Sequence, residues 1–386
     1  MERLNEYIKG DKVIWAVVLI LSIFSMLAVY SSTGTLAYKY QSGNTEYYFL
    51  KHFITLILGL SLMYVAHLIK YTYYSRLSQI FLLITIPLLI LTLFKGTSSY
   101  EAKRWLTMPV VGISFQTSDL AKLALIMYVA RLLSKKQQQI KEFKVTFLPI
   151  VIPIIIVCGL ILPADISTAL LLFLTCLLLM FIGRIKMKYI LALIGSGIVL
   201  LSIFAVITYN SPSQGRIKTG VKRIVDFSTG DSEANYQVEQ AKMAIAKGGF
   251  VNFNPGGSTQ KNFLPQPYSD FIYAIIIEEY GMLGGVFIIL LYFILFFRAI
   301  IIVAKSPGIF AALLAIGCCF ILIFQAMINM AVAVNLIPVT GQSLPLVSMG
   351  GTSILFTSIA IGIILSVSRS IEKEAIEKNT AKYAVV

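Results

Sequence analysis

The sequence has few charged residues and few of the side chains that bind metals or form disulfides. Only 13% of its 386 residues are charged, and it contains four cysteines and two histidines. All four cysteines lie in apolar runs and none belongs to a C-x-x-C pair, so we expect neither a disulfide nor a cysteine-bound metal. His52 and His67 are too far apart in the sequence for a typical zinc site.

Hydrophobic residues make up 58% of the chain and recur in runs of about 20 residues, each long enough to cross a bilayer. Helices are the default for such spans because they satisfy their own backbone groups. The first run is too long for a signal peptide and is followed by more spans, so it is interpreted as an uncleaved helix. The fold class is therefore an all-α polytopic membrane protein, in which ten spans are predicted at residues 13–33, 47–67, 74–94, 115–134, 145–162, 166–183, 189–209, 271–297, 308–330 and 350–368.

The net charge of +14 comes from 32 basic and 18 acidic residues, a balance that also suits nucleic-acid binding. Here the cations concentrate in one alternating set of loops and at both termini, while the opposite short loops are poor in them. The positive-inside rule then places both termini in the cytoplasm. Cytoplasmic loops and membrane lipids account for the charge, and no nucleic-acid partner is expected.

One long segment, residues 210–270, is predicted to be a large extracellular loop within a single transmembrane domain covering 1–386. Its part 216–227 has apolar residues on one helical face and cations largely elsewhere, which favours a helix in the headgroup layer. A docking surface for a partner and a merely solvated basic segment remain alternatives. A second helix is predicted before Gly248 and Gly249, since glycine commonly ends helices.

Four polar stretches lie near the extracellular surface. In the first, Asp119 and Lys122 are spaced i,i+3 on one helix face, after an Arg104–Trp105 pair in a loop. An interfacial tryptophan with a structural ion pair and a functional site are both open interpretations. In the second stretch, Asp165 begins a span and is either a helix N-cap or a functional group.

The third stretch places Asp270 at the start of an apolar run, with Glu278 about 12 Å deeper. Glu278 and Glu279 are thus expected near mid-membrane. We favour a structural role for the two glutamates, paired with Lys122 or with backbone groups, and a functional role for Asp270. The fourth stretch, 335–353, is rich in proline, glycine and hydroxyl groups. It is either a tight connection or, as we prefer, a cavity wall, since irregular backbone near membrane depth is tolerated where it lines a cavity.

These stretches resemble the SEDS family (shape, elongation, division and sporulation), which includes FtsW and RodA. "FQTSDLAKL" is similar to FQPSELAKL, "PADISTAL" to P-D-x-G-T-A-L, and "IPVTGQSLPLVSMGGTS" to LPVTGIPLPFISYGGSS. "NFLPQPYSDFIYAIIIEEYGMLGG" resembles LPEAHTDFIFAVIGEELG, and "YQVEQAKMAIAKGGF", with the spacing Q-x-x-x-A-I-x-x-G-G, resembles a glutamine-containing segment of the family's external loop. The motifs occur in the family's order, and the variants resemble FtsW more than RodA.

The resemblance implies a peptidoglycan glycosyltransferase that polymerises lipid II at the outer face of the bacterial plasma membrane and releases undecaprenyl pyrophosphate. It implies Asp270 as the catalytic residue. The residues implied in substrate binding are Arg104, Trp105, Asp119, Lys122, Asp165, Gln237 and Ser348. A divalent cation could assist, although no motif demands one.

The implied partners are a class B penicillin-binding protein, which acts as the transpeptidase, and other proteins of the division or elongation complex. Two other classes of function remain open. A lipid II flippase would use the same membrane cavity and is favoured by acids placed at mid-membrane. A purely structural division scaffold leaves the ionisable groups unexplained.

Overall fold

The computed structural model of the chain describes residues 9–99, 102–107, 114–209 and 233–383 and is mostly helical. The basic helix predicted at 216–227 lies outside these residues. The helices are α1 (Lys12–Ser32), α2 (Gly34–Tyr40), α3 (Thr45–Leu68), α4 (Tyr71–Lys95), α5 (Thr117–Lys135), α6 (Leu148–Ile161), α7 (Ile166–Ile182), α8 (Met187–Tyr209), α9 (Glu233–Gly248), α10 (Ile272–Ala304), α11 (Ile309–Ala333) and α12 (Thr352–Tyr383).

Each of the ten predicted spans overlaps one of these helices, although the span predicted at 271–297 falls on α10, which is interrupted at Gly281. Seven helical segments of the described chain are long and apolar enough to cross a membrane, and α7 and part of α8 are shorter apolar helices. Helix α5 is less hydropathic because it carries Asp119, Lys122 and Arg131, which are all buried within the protein. The chain is thus an α-helical polytopic membrane protein.

A small antiparallel sheet precedes α5, where the sequence pattern predicted only a loop. Its strands are β1 (Thr97–Ser99), β2 (Ala102–Thr107) and β3 (Ser114–Gln116), in that order. Trp105 is in register with Thr97 on one side and Gln116 on the other. Two of the strands have three residues, too few to show the alternating pattern that identifies a strand in sequence.

Helices α1 and α10 are joined at two levels of the bundle. At one level Asp11 caps α1 and pairs with Arg298, with its Oδ2 2.6 Å from Nη2. At the other level the Ser31 hydroxyl donates to Glu279. Twenty residues of α1 separate the two levels, or about 30 Å of helix, which matches the hydrocarbon thickness of a bilayer. We call the level of Ser31 and Glu279 the site end.

Helix α10 is not straight but turns back on itself at Gly281, where φ is +70° and ψ is −179°. A Cβ placed on Gly285 would lie 3.1 Å from the Tyr273 hydroxyl and 2.7 Å from Ile277 Cγ1. In a straight helix Tyr273 and Gly285 would be about 18 Å apart. The halves 272–280 and 282–304 therefore meet at an acute corner, and the second half alone is long enough to span a bilayer.

This corner contradicts the predicted depth of the acidic residues. A continuous helix would carry Glu278 and Glu279 deeper than Asp270, whereas Glu279 lies level with Ser31 at the site end. Since the chain reverses at Gly281, the first half of α10 runs back along the second half, and Asp270 lies at its inner end. The mid-membrane placement of the two glutamates is therefore wrong. The prediction assumed a continuous helix, whereas the backbone conformation of Gly281 reverses the direction of the chain.

The variant Gly281→Ala is expected to destabilise the protein by about 1–3 kcal/mol, because that backbone region is almost exclusive to glycine. A Cβ there would also lie 2.6 Å from the Asn252 backbone nitrogen. Thermal unfolding of the purified protein measures the loss. Gly195→Ala is the control, since Gly195 lies within α8 and a Cβ there meets nothing within 4 Å. Equal melting temperatures for the two variants would contradict the corner.

Candidate functional site

Asp270 lies at the inner end of the returning half of α10 and is half-buried. The Ser269 hydroxyl donates to Asp270 Oδ1 at 3.0 Å. The backbone carbonyl of Asp270 accepts a hydrogen bond from Asn329 Nδ2 at 2.9 Å. The backbone at Asp270 is therefore held by α11, and the residue as a whole remains partly exposed.

The connection between α11 and α12 enters the bundle from the site end. The Ser25 hydroxyl donates to the Val347 carbonyl at 2.9 Å, and the Tyr292 hydroxyl donates to the Pro345 carbonyl at 2.5 Å. Ser25 is seven residues before the end of α1, or about 10 Å inside the site end. Residues 334–351 thus form a re-entrant loop within the protein, where irregular backbone is tolerated, and the alternative of a tight surface connection is wrong.

The re-entrant loop binds the segment that carries Asp270. Met349 N donates to the Tyr268 carbonyl at 2.9 Å, and the Ser348 hydroxyl donates to the Ser269 carbonyl at 2.6 Å. Ser348 also accepts a hydrogen bond from Leu344 N at 2.8 Å and is 1% exposed. Its hydroxyl is therefore engaged within the protein and fixes the segment that carries Asp270.

The predicted pair of Asp119 and Lys122 on α5 is confirmed. Lys122 Nζ lies 2.7 Å from Asp119 Oδ1, and both side chains are at least nine-tenths buried. Lys122 Nζ also donates to Gln325 Oε1 at 3.1 Å. A buried cation is stable only when it is paired and hydrogen-bonded, and here a carboxylate and an amide satisfy both conditions.

Two amides on α11, Gln325 and Asn329, connect these groups and were not identified from the sequence. Gln325 Nε2 donates to the Ser343 carbonyl at 2.9 Å, and Asn329 Nδ2 donates to the Gln342 carbonyl at 2.7 Å. They are spaced i,i+4 in the apolar helix "FILIFQAMINMAVA", so they share one face. Two amides at this spacing in an otherwise apolar membrane helix are the sequence feature that could have identified them.

Asp165 is the N-cap of α7, since its Oδ1 accepts a hydrogen bond from Thr168 N at 3.1 Å. The capping interpretation is confirmed. Gln342 Nε2 donates to the Thr168 hydroxyl at 2.8 Å, which joins the start of α7 to the re-entrant loop. Asp165 also lines a small pocket together with Thr117 and Ser118 of the first turn of α5. Asp165 is thereby close to the helix turn that carries Asp119.

The remaining predicted residues surround this group. Trp105 on β2 is half-buried, and its ring lies 4.0 Å from where a Cβ on Gly351 would stand, at the end of the re-entrant loop. Arg104 precedes it on the same strand. Gln237 is half-buried on α9, which contacts both α10 and α11.

Glu278 and Glu279 have structural partners, as we favoured from the sequence. Glu278 accepts hydrogen bonds from Thr259 N at 3.0 Å and from Gln260 N at 3.3 Å, and Lys247 Nζ lies 3.8 Å from it. Their partners are therefore backbone groups, hydroxyls and Lys247, whereas Lys122 binds Asp119. Among the described residues, no three His, Cys, Asp or Glu side chains converge as a possible metal site.

Comparisons with known proteins identify the family of the chain. The family model described as cell cycle protein, for FtsW, RodA and SpoVE, matches residues 11–373. The chain is 32% identical over 388 residues to a probable peptidoglycan glycosyltransferase FtsW from Trichlorobacter lovleyi, covering 98% of both chains. It is 30% identical over 370 residues to stage V sporulation protein E of Bacillus subtilis, covering 93% of this chain and 97% of the relative.

Two solved structures share the fold. One chain, from a study of the coordination of polymerization and crosslinking by a peptidoglycan synthase complex, aligns with a TM-score of 0.72 and 23% identity, covering 94% of this chain and 98% of the other. The rod shape determining protein RodA of Thermus thermophilus aligns with a TM-score of 0.65 and 21% identity, covering 94% and 97%. With the family match over residues 11–373, these findings show that the chain belongs to the FtsW, RodA and SpoVE family of cell cycle proteins.

Proposed function

We propose that this chain is a peptidoglycan glycosyltransferase that polymerises lipid II, with Asp270 as the general base. The observation that carries the proposal is the placement of Asp270. The backbone carbonyl of this half-buried residue is held by Asn329, and the neighbouring Ser269 carbonyl is held by Ser348 of the re-entrant loop. The same face of α11 carries Gln325, which binds Lys122. We further propose that the site end faces the outside of the plasma membrane. Both termini then lie in the cytoplasm, and the chain crosses the membrane ten times.

The reaction transfers a glycan chain from pyrophosphate to a sugar hydroxyl. The 4-hydroxyl of an incoming lipid II attacks the anomeric carbon of the growing chain, and the bond from that carbon to the pyrophosphate oxygen breaks. Asp270 accepts the hydroxyl proton as the new bond forms, which is general-base catalysis. Undecaprenyl pyrophosphate departs with the bonding electron pair.

Fixed cations stabilise the negative charge that develops on the leaving pyrophosphate. Lys122 is held in place by Asp119 and Gln325, so its ammonium needs little reorganisation during the reaction. Arg104 lies on the small sheet next to Trp105, which is near the re-entrant loop. Arg104 is the second proposed cation, with Asp165 and Gln237 as further substrate-binding residues. A divalent cation would add positive charge beside the pyrophosphate without replacing any of these groups.

The proposed partner is a class B penicillin-binding protein, which cross-links the strands that this chain makes. The similarity to a chain from a peptidoglycan synthase complex supports this pairing. Relatives named FtsW support a role in cell division over a RodA-like role in elongation. Fluorescent localisation to the septum, as opposed to the side wall, tests that role.

A lipid II flippase is the second candidate, but the structure weakens the feature that favoured it. That feature was a pair of acids at mid-membrane, whereas Glu279 lies at the site end and both glutamates bind loop groups. Purified protein with labelled lipid II separates the two functions. Glycan strands formed without any added polymerase support the enzyme. Lipid II that crosses the bilayer without forming strands would support the flippase and contradict the proposal.

Asn329→Leu is expected to lower kcat roughly 10- to 100-fold with little change in KM, because misplacing a catalytic group by about 1 Å has effects of that order. The leucine removes both hydrogen bonds that hold Asp270 and Gln342. Thr175→Val is the matched control, since Thr175 is buried on α7 and its hydroxyl, among the described residues, bonds to Leu171 of its own helix. Steady-state kinetics on both variants, with melting temperatures, provide the test. An unchanged kcat in Asn329→Leu would exclude this positioning role.

A further inference from the structure

The backbone groups at the corner in α10 find their hydrogen-bond partners in a preceding loop segment, residues 249–254. A break in a helix leaves backbone N–H and C=O groups without helical partners. Residues 249–254 supply these partners. Two carbonyls of the segment accept hydrogen bonds from the helix: Met282 N donates to Gly249 O at 3.0 Å, and Leu283 N donates to Phe250 O at 3.3 Å. Two donors of the segment bind helix carbonyls: Asn254 N donates to Glu279 O at 2.9 Å, and Asn252 Nδ2 donates to Glu278 O at 2.7 Å. The segment 249–254 is thus fastened to the corner through its polar groups.

Three side chains of this segment are large, apolar and exposed. Phe250 and Val251 are each 69% exposed, and Phe253 is 82% exposed. We call these three residues the apolar patch. A contiguous group of large exposed hydrophobic side chains marks a contact surface for another molecule or for a membrane. The backbone of the segment is already hydrogen-bonded, so covering the patch would strand few polar groups.

The patch is continuous with the membrane-facing surface of the spans. The Phe253 ring lies 6.0 Å from the Tyr280 ring, which in turn lies 5.8 Å from the Phe24 ring. Phe24 is eight residues before the end of α1, about 12 Å inside the site end. It also lies 5.5 Å from Phe287, an exposed residue of the spanning half of α10. The chain of rings therefore places Phe253 at or below the level where α1 ends.

We propose that the apolar patch inserts into the membrane leaflet at the site end, with lipid acyl chains as its occupant. The charges nearby fit this placement, because Lys242 and Lys247 are exposed in the last two turns of α9, just before the patch. Cations at headgroup level beside apolar residues at the acyl boundary are typical of interfacial segments. The patch anchors the corner to the bilayer, independently of which reaction the chain catalyses.

Tryptophan fluorescence tests the insertion without relying on enzymatic activity. The chain has two tryptophans, Trp15 and Trp105, which are replaced by phenylalanine before single tryptophans are introduced. The probes are Phe253→Trp and Phe250→Trp, with Phe287→Trp as the lipid-facing control and Glu377→Trp, near the exposed C-terminal part of α12, as the aqueous control. Each folded variant is placed in nanodiscs of phosphatidylcholine with bromines at shallow or deep chain positions.

Insertion predicts that both patch probes emit at shorter wavelength than Glu377→Trp and are quenched most by the shallow bromines. The Phe287 probe should be quenched most by the deeper bromines. Patch probes that respond to aqueous acrylamide as Glu377→Trp does, and not to brominated lipid, would overturn the proposal. Patch probes shielded from both quenchers would overturn it too, because a second copy or another protein segment would then cover the patch.

Discussion

Asp270→Asn is expected to abolish glycan synthesis by the purified protein, with a loss of roughly 10²-fold or more, the usual scale of general-base catalysis. The change keeps the size and shape of the side chain and removes its capacity to accept a proton. The Asp270 carbonyl would still bind Asn329, and Ser348 would still bind the Ser269 carbonyl. We therefore expect the variant to retain the wild-type melting temperature.

The matched control applies the same chemical change at the other end of the bundle. Asp11→Asn retains an N-cap side chain for α1, since asparagine caps helices as well as aspartate does. It weakens the pair with Arg298, so some stability is lost, but synthesis should continue. Polymerisation of labelled lipid II is measured for both variants. Near-normal strand formation by Asp270→Asn would remove Asp270 from the chemistry.

Lys122→Met is expected to destabilise the protein more than the double variant Asp119→Leu/Lys122→Met. Removing one partner of a buried ion pair leaves an uncompensated charge, at a cost of roughly 3–5 kcal/mol. Lys122 and Asp119 are 2.7 Å apart and almost fully buried, so Asp119 alone would be such a charge. The double variant replaces both charges with apolar groups, and thermal unfolding compares the two proteins.

The activity of the same two proteins separates a structural pair from a catalytic one. If the double variant recovers stability and remains inactive, Lys122 acts on the substrate as well as on Asp119. If it recovers both, the pair is structural. Simply additive losses in the two single variants and the double variant would mean that the residues do not interact energetically.

The parts of the fold and site that follow from local spacing could be predicted from the sequence. Apolar runs located the helices, the i,i+3 spacing paired Asp119 with Lys122, and the position of Asp165 before an apolar run indicated its cap. Each of these features depends on residues within about one turn of each other or on a continuous composition. No distant part of the chain is needed to decide them.

The corner could not be predicted, because it depends on distant backbone. Glycine within "EEYGMLGG" is compatible with a continuing helix, and the reversal is stabilised by carbonyls of Gly249 and Phe250, more than 30 residues earlier in the chain. Gln325 and Asn329 are visible as amides, but their partners are mostly main-chain carbonyls. Because every residue carries the same main-chain carbonyl, the sequence does not indicate which carbonyls accept these hydrogen bonds.

The two connections between α1 and α10 also determine how the protein responds to hydrophobic mismatch. These connections, Asp11 with Arg298 and Ser31 with Glu279, join the same two helices at two points. The two points are about 30 Å apart along the helix axis. Because both ends are joined, neither helix can slide past the other to match a thicker or thinner bilayer. The pair must tilt as one unit, or the surrounding lipid must deform at fractions of a kcal/mol per Å. Bilayer thickness would then alter the tilt of the corner and of the returning half of α10 that leads to Asp270.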